Sequence, residues 1–431
     1  METIYKTDNG ELIHGNNVEV MKTLKDNSVD SCVSDFPYNL SFMSKKWDTT
    51  TNFYNWCKDR AEPLYRIIKP GGYVLIFGHP KTNHRMKSAF EDVGFNIVEE
   101  IDYIYGTGFP KNQDISKLFD KKAGVERPLS EVQRPIGGKN GVYEGQGGNW
   151  GETVNIPETD QAKTWDGWKT SGLKPAHEPI TVFQKPLEGT YIQNIEKYDC
   201  GGMNIDACRI PTSDNLNGGG YSGDIRNASE DSSWQNTDRS EGKGSGFKRG
   251  IGEFVQPQGR FPANIILDSD MGEILDSQSG LSKSTGGKGE RSALIDNESV
   301  YGKYSGKDKG KNAGGLGDSG GASRYFLNVS TEDFVPFYYC AKTSKKEKGE
   351  GNTHVTVKPK ALIKWLIKLV TPLDGTTIDI TSGSGTHGLS CEELNKDENY
   401  NLKWINIEML NTEKDPYCNI AMNRIKEVVN T

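Results

Sequence analysis

The sequence predicts an α/β fold, a parallel sheet with helices on its faces, and three observations predict it. Short β-branched or aromatic runs at residues 29–33, 73–77 and 97–105 alternate with helix-spaced segments at 53–68 and 84–93, the order of a sheet with crossover helices. A second block at 376–408 repeats the alternation around a glycine-rich turn. Between the blocks, residues 188–335 carry short apolar runs and recurrent Gly-rich patches, so the chain reads as a core interrupted by a long polar region.

Each element has a local reason. Val29, Cys32 and Val33 form an apolar run that stops at Pro37, which cannot continue a ladder. Phe53, Trp56, Cys57, Leu64, Ile67 and Ile68 recur at near-helical spacing, with Pro63 expected to kink or split the helix. Lys69-Pro70-Gly71-Gly72 reads as a turn before the buried strand 73–77, and Gly94 caps the helix from about His84 to Val93. After the strand 97–105, Tyr105-Gly106-Thr107-Gly108-Phe109-Pro110-Lys111-Asn112 turns into a polar helix at 115–122. Residues 124–160 read as a mobile loop. His177 is either a general base or a loop-packing residue, and a strand follows at 180–183. Within 188–335, the segments 204–210 and 259–264 look locally ordered. Leu362, Trp365, Leu366 and Leu369 share one face of a helix at 360–370.

Composition bounds the function. The 431 residues hold 52 basic and 59 acidic side chains, a net charge of −7, which does not by itself suggest nucleic-acid binding. A nucleic-acid contact needs a local basic face; Lys342, Lys345, Lys346 and Lys348 form the candidate run, with a solvated loop as the alternative. Seven cysteines without metal-type spacing fit a reducing compartment, and Cys200 and Cys208 read as packing residues. No Cys or His partner stands at ligand spacing from His177, so no metal is expected. The longest apolar segments are too short to span a bilayer, and no amino-terminal leader pattern is present. The expectation is a soluble, cytoplasmic protein.

Two turns carry the chemistry. Ser34-Asp35-Phe36-Pro37-Tyr38-Asn39-Leu40 follows a buried strand and offers a carboxylate, backbone carbonyls and an exposed aromatic ring. Asp35 and the carbonyl of Phe36 can accept the two hydrogens of a base amino group, while Tyr38 stacks on a base flipped out of the duplex. An ordinary strand-to-loop turn is the competing reading. The second turn, Thr381-Ser382-Gly383-Ser384-Gly385-Thr386-His387-Gly388, joins a strand to a helix, and a further strand ends in Glu408. Glycines let the backbone approach a ligand, the helix amino terminus favours polar or anionic groups, and Glu408 can accept from ribose hydroxyls. A structural α/β turn is the alternative there.

The first turn resembles motif IV (Asp-Pro-Pro-Tyr) of amino-directed DNA methyltransferases, and residues 11–48 are similar to the amino-terminal part of bacterial and phage adenine-N6 enzymes. The likeness covers roughly 5–120, 164–215 and 336–425, with weaker patches at 259–267 and 323–327. It implies a Rossmann-like, seven-stranded methyltransferase sheet assembled from both chain ends. Residues 1–187 would be the catalytic half, 188–335 an inserted, partly disordered target-recognition region, and 336–431 the cofactor half. With motif IV first and the cofactor turn last, the order is similar to the β arrangement of these enzymes.

The resemblance also implies S-adenosylmethionine as cofactor. Asp379, Gly383, Ser384, Gly385 and Thr386 would hold its methionine and backbone side, Glu408 its ribose, and Thr356 and Lys358 would join from a neighbouring motif. Asp35, Phe36, Pro37 and Tyr38 would be catalytic, and Phe109 and Lys111 DNA-facing. The partner would be double-stranded DNA with a flipped target base; a homodimer and a restriction endonuclease partner stay open. The chain departs from the family pattern at Phe36, Val355 and Ile380, where the family has Pro, and at Thr381, where it has Phe. Three readings follow: an active adenine-N6 enzyme, a non-catalytic DNA-binding relative, and a cytosine-N4 enzyme or one acting on RNA. Asp at position 35 favours adenine, because cytosine-N4 enzymes more often carry Ser there.

Overall fold

The computed structural model describes residues 1–41, 46–106, 112–134, 152–170, 172–212, 214, 216, 256–283, 298–299, 302–303, 319–329 and 357–430. Phe109, Lys111, Val355, Thr356 and the lysine run at 342–348 lie outside the described residues. The chain divides into two compact units, residues 1–106 with 177–431, and residues 107–176.

The first unit is built on one sheet, which among the described residues has ten strands. From edge to edge these are Glu2–Lys6, Gly10–His14, Lys403–Glu408, Thr376–Asp379, Val29–Asp35, Ile68–Phe77, His177–Gln184, Asn96–Ile104, Ile265–Asp268 and Leu327–Val329. The carboxyl-terminal strands Lys403–Glu408 and Thr376–Asp379 sit between amino-terminal ones, so both ends of the chain supply the centre.

Two expectations change here. The sheet is wider than seven strands. The amino-terminal hairpin partner Glu2–Lys6 adds one edge, and the short apolar runs near 265 and 327 extend the other in parallel with Asn96–Ile104. The polar region 188–335 therefore contributes strands as well as loops. The sheet is also mixed rather than parallel, because His177–Gln184 runs antiparallel to both neighbours. The chain leaves the sheet at Ile104 and re-enters opposite it at His177, and a return at the same end of a strand gives an antiparallel pair.

Alternation along the strands makes two cores. Val33, Tyr73, Leu75 and Phe77 face the helices Lys360–Val370, Thr386–Glu398 and Tyr417–Val429. Cys32, Val74 and Ile76 face Asn17–Thr23, Phe53–Ile67 and Asn83–Val93. Phe53–Ile67 runs through Pro63 as one helix of 15 residues instead of splitting. The bond that Pro63 cannot donate leaves the carbonyl of exposed Asp59, while Cys57, Ala61 and Leu64 anchor the opposite, buried side. The Lys69–Gly72 turn bulges out of its ladder: Val29 pairs with Ile68, and the next pair is Ser31 with Tyr73. Gly71 holds it at φ +79°, where a Cβ would lie 2.5 Å from Asn194 Nδ2. That buried Asn194 amide donates to the carbonyls of Pro70 and Cys200, at 2.9 and 2.8 Å.

The second unit centres on the helix Ile115–Ala123, capped by Asp114 and ended by Gly124 in the left-handed region. Buried Asp120 organises the chain after it, accepting from Arg127 at 2.6 Å and from the Thr159 amide at 3.0 Å and hydroxyl at 2.7 Å. The stretch 124–160, expected as a loop, contains the antiparallel pair Leu129–Arg134 and Glu152–Asn155.

Candidate active site

The carboxyl edge of the sheet opens into a cavity lined from both turns, including Asp35, Tyr38, Lys358, Asp379, Gly383 and Glu408. Such crevices beyond the carboxyl ends of strands are where α/β sheets hold ligands. Asp35 is the last residue of Val29–Asp35 and lies beside Phe77. The chain then turns away through Asn39 and Ser41, at φ +56° and +52°. Buried Asp48 fixes the turn by accepting the amides of Asn39 and Leu40, at 2.7 and 3.1 Å. Phe36, where the family pattern has Pro, sinks its ring into the core against Trp56, with centroids 5.3 Å apart. Packing thus supplies the stiffness that a pyrrolidine ring would give.

Tyr38 is not the exposed ring expected from sequence. It is 6% exposed, because its hydroxyl is held at both ends of a network: it donates to Asp35 Oδ1 at 3.0 Å and accepts from Lys358 Nζ at 2.9 Å. Lys358 also stands 3.2 Å from Asp35 Oδ2 and 2.9 Å from Glu178 Oε2. Burial pushes the Tyr38 hydroxyl well above its usual range, and the charges of Asp35 and Glu178 add to that. Burial alone would lower the Lys358 ammonium; Asp35 and Glu178 outweigh it and hold it above its ordinary value.

The glycine turn meets this turn through side chains. Asp379, at the end of Thr376–Asp379, accepts from the Ser34 hydroxyl at 2.6 Å and the Thr381 amide at 3.0 Å. The Thr381 hydroxyl donates to the carbonyl of Asp35 at 2.9 Å, so this departure from the family pattern bonds one turn to the other. Ile380, a second departure, is buried, and Asn17 Nδ2 donates to its carbonyl at 2.8 Å. Glu408 accepts from the amides of Gly383 and Leu410, both at 2.7 Å. Burial pushes the Asp379 and Glu408 carboxyls up to about 7. Their hydrogen bonds oppose that rise, and neighbouring acidic charges, Asp35 on Asp379 and Asp379 on Glu408, add to it.

Gly385 is held at φ +77°, with an added Cβ only 2.7 Å from that of Ala421. Ser384 and Thr386 line the cavity, but Arg424 holds their hydroxyls, at 2.9 and 3.0 Å. Their polar atoms serve the turn's attachment to the helix Tyr417–Val429. Lys358, grouped from sequence with the cofactor residues, lines the cavity with them and is bonded to the Asp35 turn.

Sequence reasoning missed Glu178, Asp48 and the 2.8 Å contact between the Ser34 and Thr381 hydroxyls. For Glu178 a signal existed, an acidic residue leading the apolar run around Ile180, Val182 and Phe183, but the neighbouring His177 drew the chemistry; His177 is exposed. Among the described residues no His, Cys, Asp and Glu cluster is built to hold a metal, and no helix is long and apolar enough to cross a membrane.

A mixed α/β sheet with a cavity at its carboxyl edge, lined by an acidic turn and a glycine turn, places the chain in the class of α/β folds that hold ligands there. Within that class the chain belongs to the DNA methylase family, whose model it matches over residues 29–422. It is 21% identical over 225 residues to the type II methyltransferase M.HindIII of Haemophilus influenzae, covering 43% of this chain and 61% of that one. It is 30% identical over 113 residues to the type II methyltransferase M.HpaI of Haemophilus parainfluenzae, covering 25% and 36%. The chain thus spans less than two thirds of the length of either relative. Among solved structures it is similar to the PvuII DNA methyltransferase (cytosine-N4-specific), with a TM-score of 0.43 and 12% identity over 99% of this chain and 93% of that one.

Proposed function

We propose that this protein is a site-specific DNA methyltransferase that moves a methyl group from S-adenosylmethionine to the N6 amino group of adenine in duplex DNA. The observation that carries the reading is the junction of the two turns in one cavity: an acceptor carboxylate at Asp35 stands beside a glycine turn with two buried carboxylates, Asp379 and Glu408. The donor set fits S-adenosylmethionine. Glu408 offers an acceptor to ribose hydroxyls, Asp379 and the Gly383–Gly385 backbone face its amino-acid end, and buried Ile380 and Ile407 give its apolar parts a dry wall. When bound, it supplies an electrophilic methyl group on a sulfonium sulfur.

The chain's own residues then prepare the amine. The base nitrogen is a weak nucleophile because its lone pair is delocalised into the ring. Asp35 and the Phe36 carbonyl accept its two hydrogens and draw it toward a tetrahedral form. With the methyl group that the bound cofactor would supply, the nitrogen's surplus proton would pass to Asp35 and then to solvent. Tyr38, pinned by Asp35 and Lys358, presents its ring to the cavity as a wall for the flipped base. Adenine rather than cytosine rests on Asp35 at the motif IV position.

The test is long-read modification mapping of DNA from a methylation-deficient bacterial host that expresses the chain, beside an Asp35→Ala control. The expected result is a motif-linked N6-methyladenine signal that the control lacks. A cytosine signal would correct the base. Soluble, cofactor-binding protein that leaves DNA unmodified would overturn the activity.

A further inference from the structure

Behind the Asp35 turn stands a second carboxylate. Glu178 lies on His177–Gln184 opposite Tyr103, and its side chain is 4% exposed. Lys358 Nζ donates to Tyr38 Oη at 2.9 Å and pairs as an ion with two carboxylates, Glu178 Oε2 at 2.9 Å and Asp35 Oδ2 at 3.2 Å. Two carboxylates share one ammonium, so the cluster carries one surplus negative charge when both are ionised.

We infer, on the methyl-transfer reading above, that Glu178 is a positioning residue: it divides the Lys358 ammonium between two carboxylates and so leaves Asp35 a stronger acceptor than a carboxylate paired with that lysine alone. Methyl transfer moves positive charge onto the amine nitrogen, and a proton must then leave it. A site with a surplus negative charge stabilises both changes, because the charge is fixed in place before reaction. Without Glu178, Lys358 would pair with Asp35 alone, the cluster would be neutral, and Asp35 would be the poorer acceptor.

The groups facing Glu178 are Lys358, Asp35, Tyr38, Tyr103 and Tyr105. Burial raises the Glu178 carboxyl, Lys358 opposes the rise, and Asp35 adds to it. Burial also holds the three tyrosine hydroxyls above their ordinary range, so they stay neutral wherever Glu178 titrates. Protonation of Glu178 therefore switches the cluster from one surplus charge to none.

The experiment compares wild type, Glu178→Gln and Glu178→Asp. It measures kcat and the KM for DNA from pH 5.5 to 9, and cofactor binding by calorimetry. Glu178→Gln keeps the shape and an oxygen for Lys358 but removes the charge. Its kcat is expected to fall about 10–100-fold at pH 8. The KM and cofactor affinity should stay within about twofold, the acid limb should change while Asp379 and Glu408 keep their part of it, and Glu178→Asp should recover part of the rate. Wild-type kcat with an unchanged acid limb in Glu178→Gln would overturn the inference. Joint loss of cofactor binding and rate in both variants would also overturn it, by making Glu178 a structural residue. A wild-type protein that binds cofactor but transfers no methyl would overturn the underlying reading and this inference with it.

Discussion

Replacing Lys358 by Met removes the ammonium that pairs with both Asp35 and Glu178 while keeping most of the side-chain volume, and the cost can be bounded from the structure. The Lys358 and Glu178 side chains are 5% and 4% exposed, so an unpaired Glu178 carboxylate has almost no access to water. Removing one member of such a pair typically costs about 3–5 kcal/mol. The stranded carboxyl can escape by taking a proton, and that sets a ceiling. Holding a group of ordinary pKa 4.5 protonated costs about 1.4 kcal/mol for each pH unit above that value. The ceiling is therefore about 5 kcal/mol at pH 8 and about 1.4 kcal/mol at pH 5.5. The folded-state pKa of Glu178 is already raised, and loss of Lys358 raises it further. The penalty is thus absent below the unfolded pKa and grows as pH rises toward the folded one.

Urea unfolding of wild type, Lys358→Met and the double variant Lys358→Met/Glu178→Gln at pH 5.5 and 8 measures this directly. Destabilisation should be larger at pH 8, and the double variant should recover much of it, because Gln leaves no buried charge. A loss below about 1 kcal/mol, equal at both pH values, or a double variant no better than the single one, would refute the reasoning.

Two further outcomes follow from the glycine turn. Gly385→Ala is expected to destabilise by at least 1–2 kcal/mol, roughly, because it puts a side chain at φ +77° and a Cβ 2.7 Å from that of Ala421; an unchanged denaturation midpoint would contradict the turn geometry. Asp379 and Glu408 titrate near 7 in the folded chain, so between about pH 4.5 and 7 the native state binds protons that the unfolded chain has released. Their contribution to stability falls as pH rises through that window, and the midpoints of Glu408→Gln should decline less steeply from pH 5.5 to 7.5 than those of wild type.

Local chemistry made much of the fold legible. The strand Val29–Asp35, the helix Lys360–Val370 and the turn at Gly383–Gly385 follow from burial, periodicity and glycine freedom, each a property of a few adjacent residues. The reversed strand His177–Gln184 did not, because direction is set by where a long excursion returns, and its apolar run reads alike both ways. The strands Ile265–Asp268 and Leu327–Val329, which extend the sheet beyond Asn96–Ile104, are too short for their apolar runs to declare a place in it. At the site, the carboxylates and glycines announced themselves by type. Lys358 lines the cavity with Asp379, Gly383 and Glu408, but its oxygen partners come from residues 35, 38 and 178, and no spacing encodes such a meeting.

The bonds from Ser34 to Asp379 and from Thr381 to the Asp35 carbonyl join residues 345 and 346 positions apart. On a ribosome the first turn emerges long before the second, and its strand waits without the neighbour Thr376–Asp379 that completes one side of it. Forming those bonds closes a very long loop, which makes them late events in folding. A chain released before residue 376 therefore has the acceptor carboxylate of Asp35 without the strand, glycine turn and Glu408 that stand beside it. Synthesis of the stretch 376–408 is itself the step that brings the two halves of the site into existence.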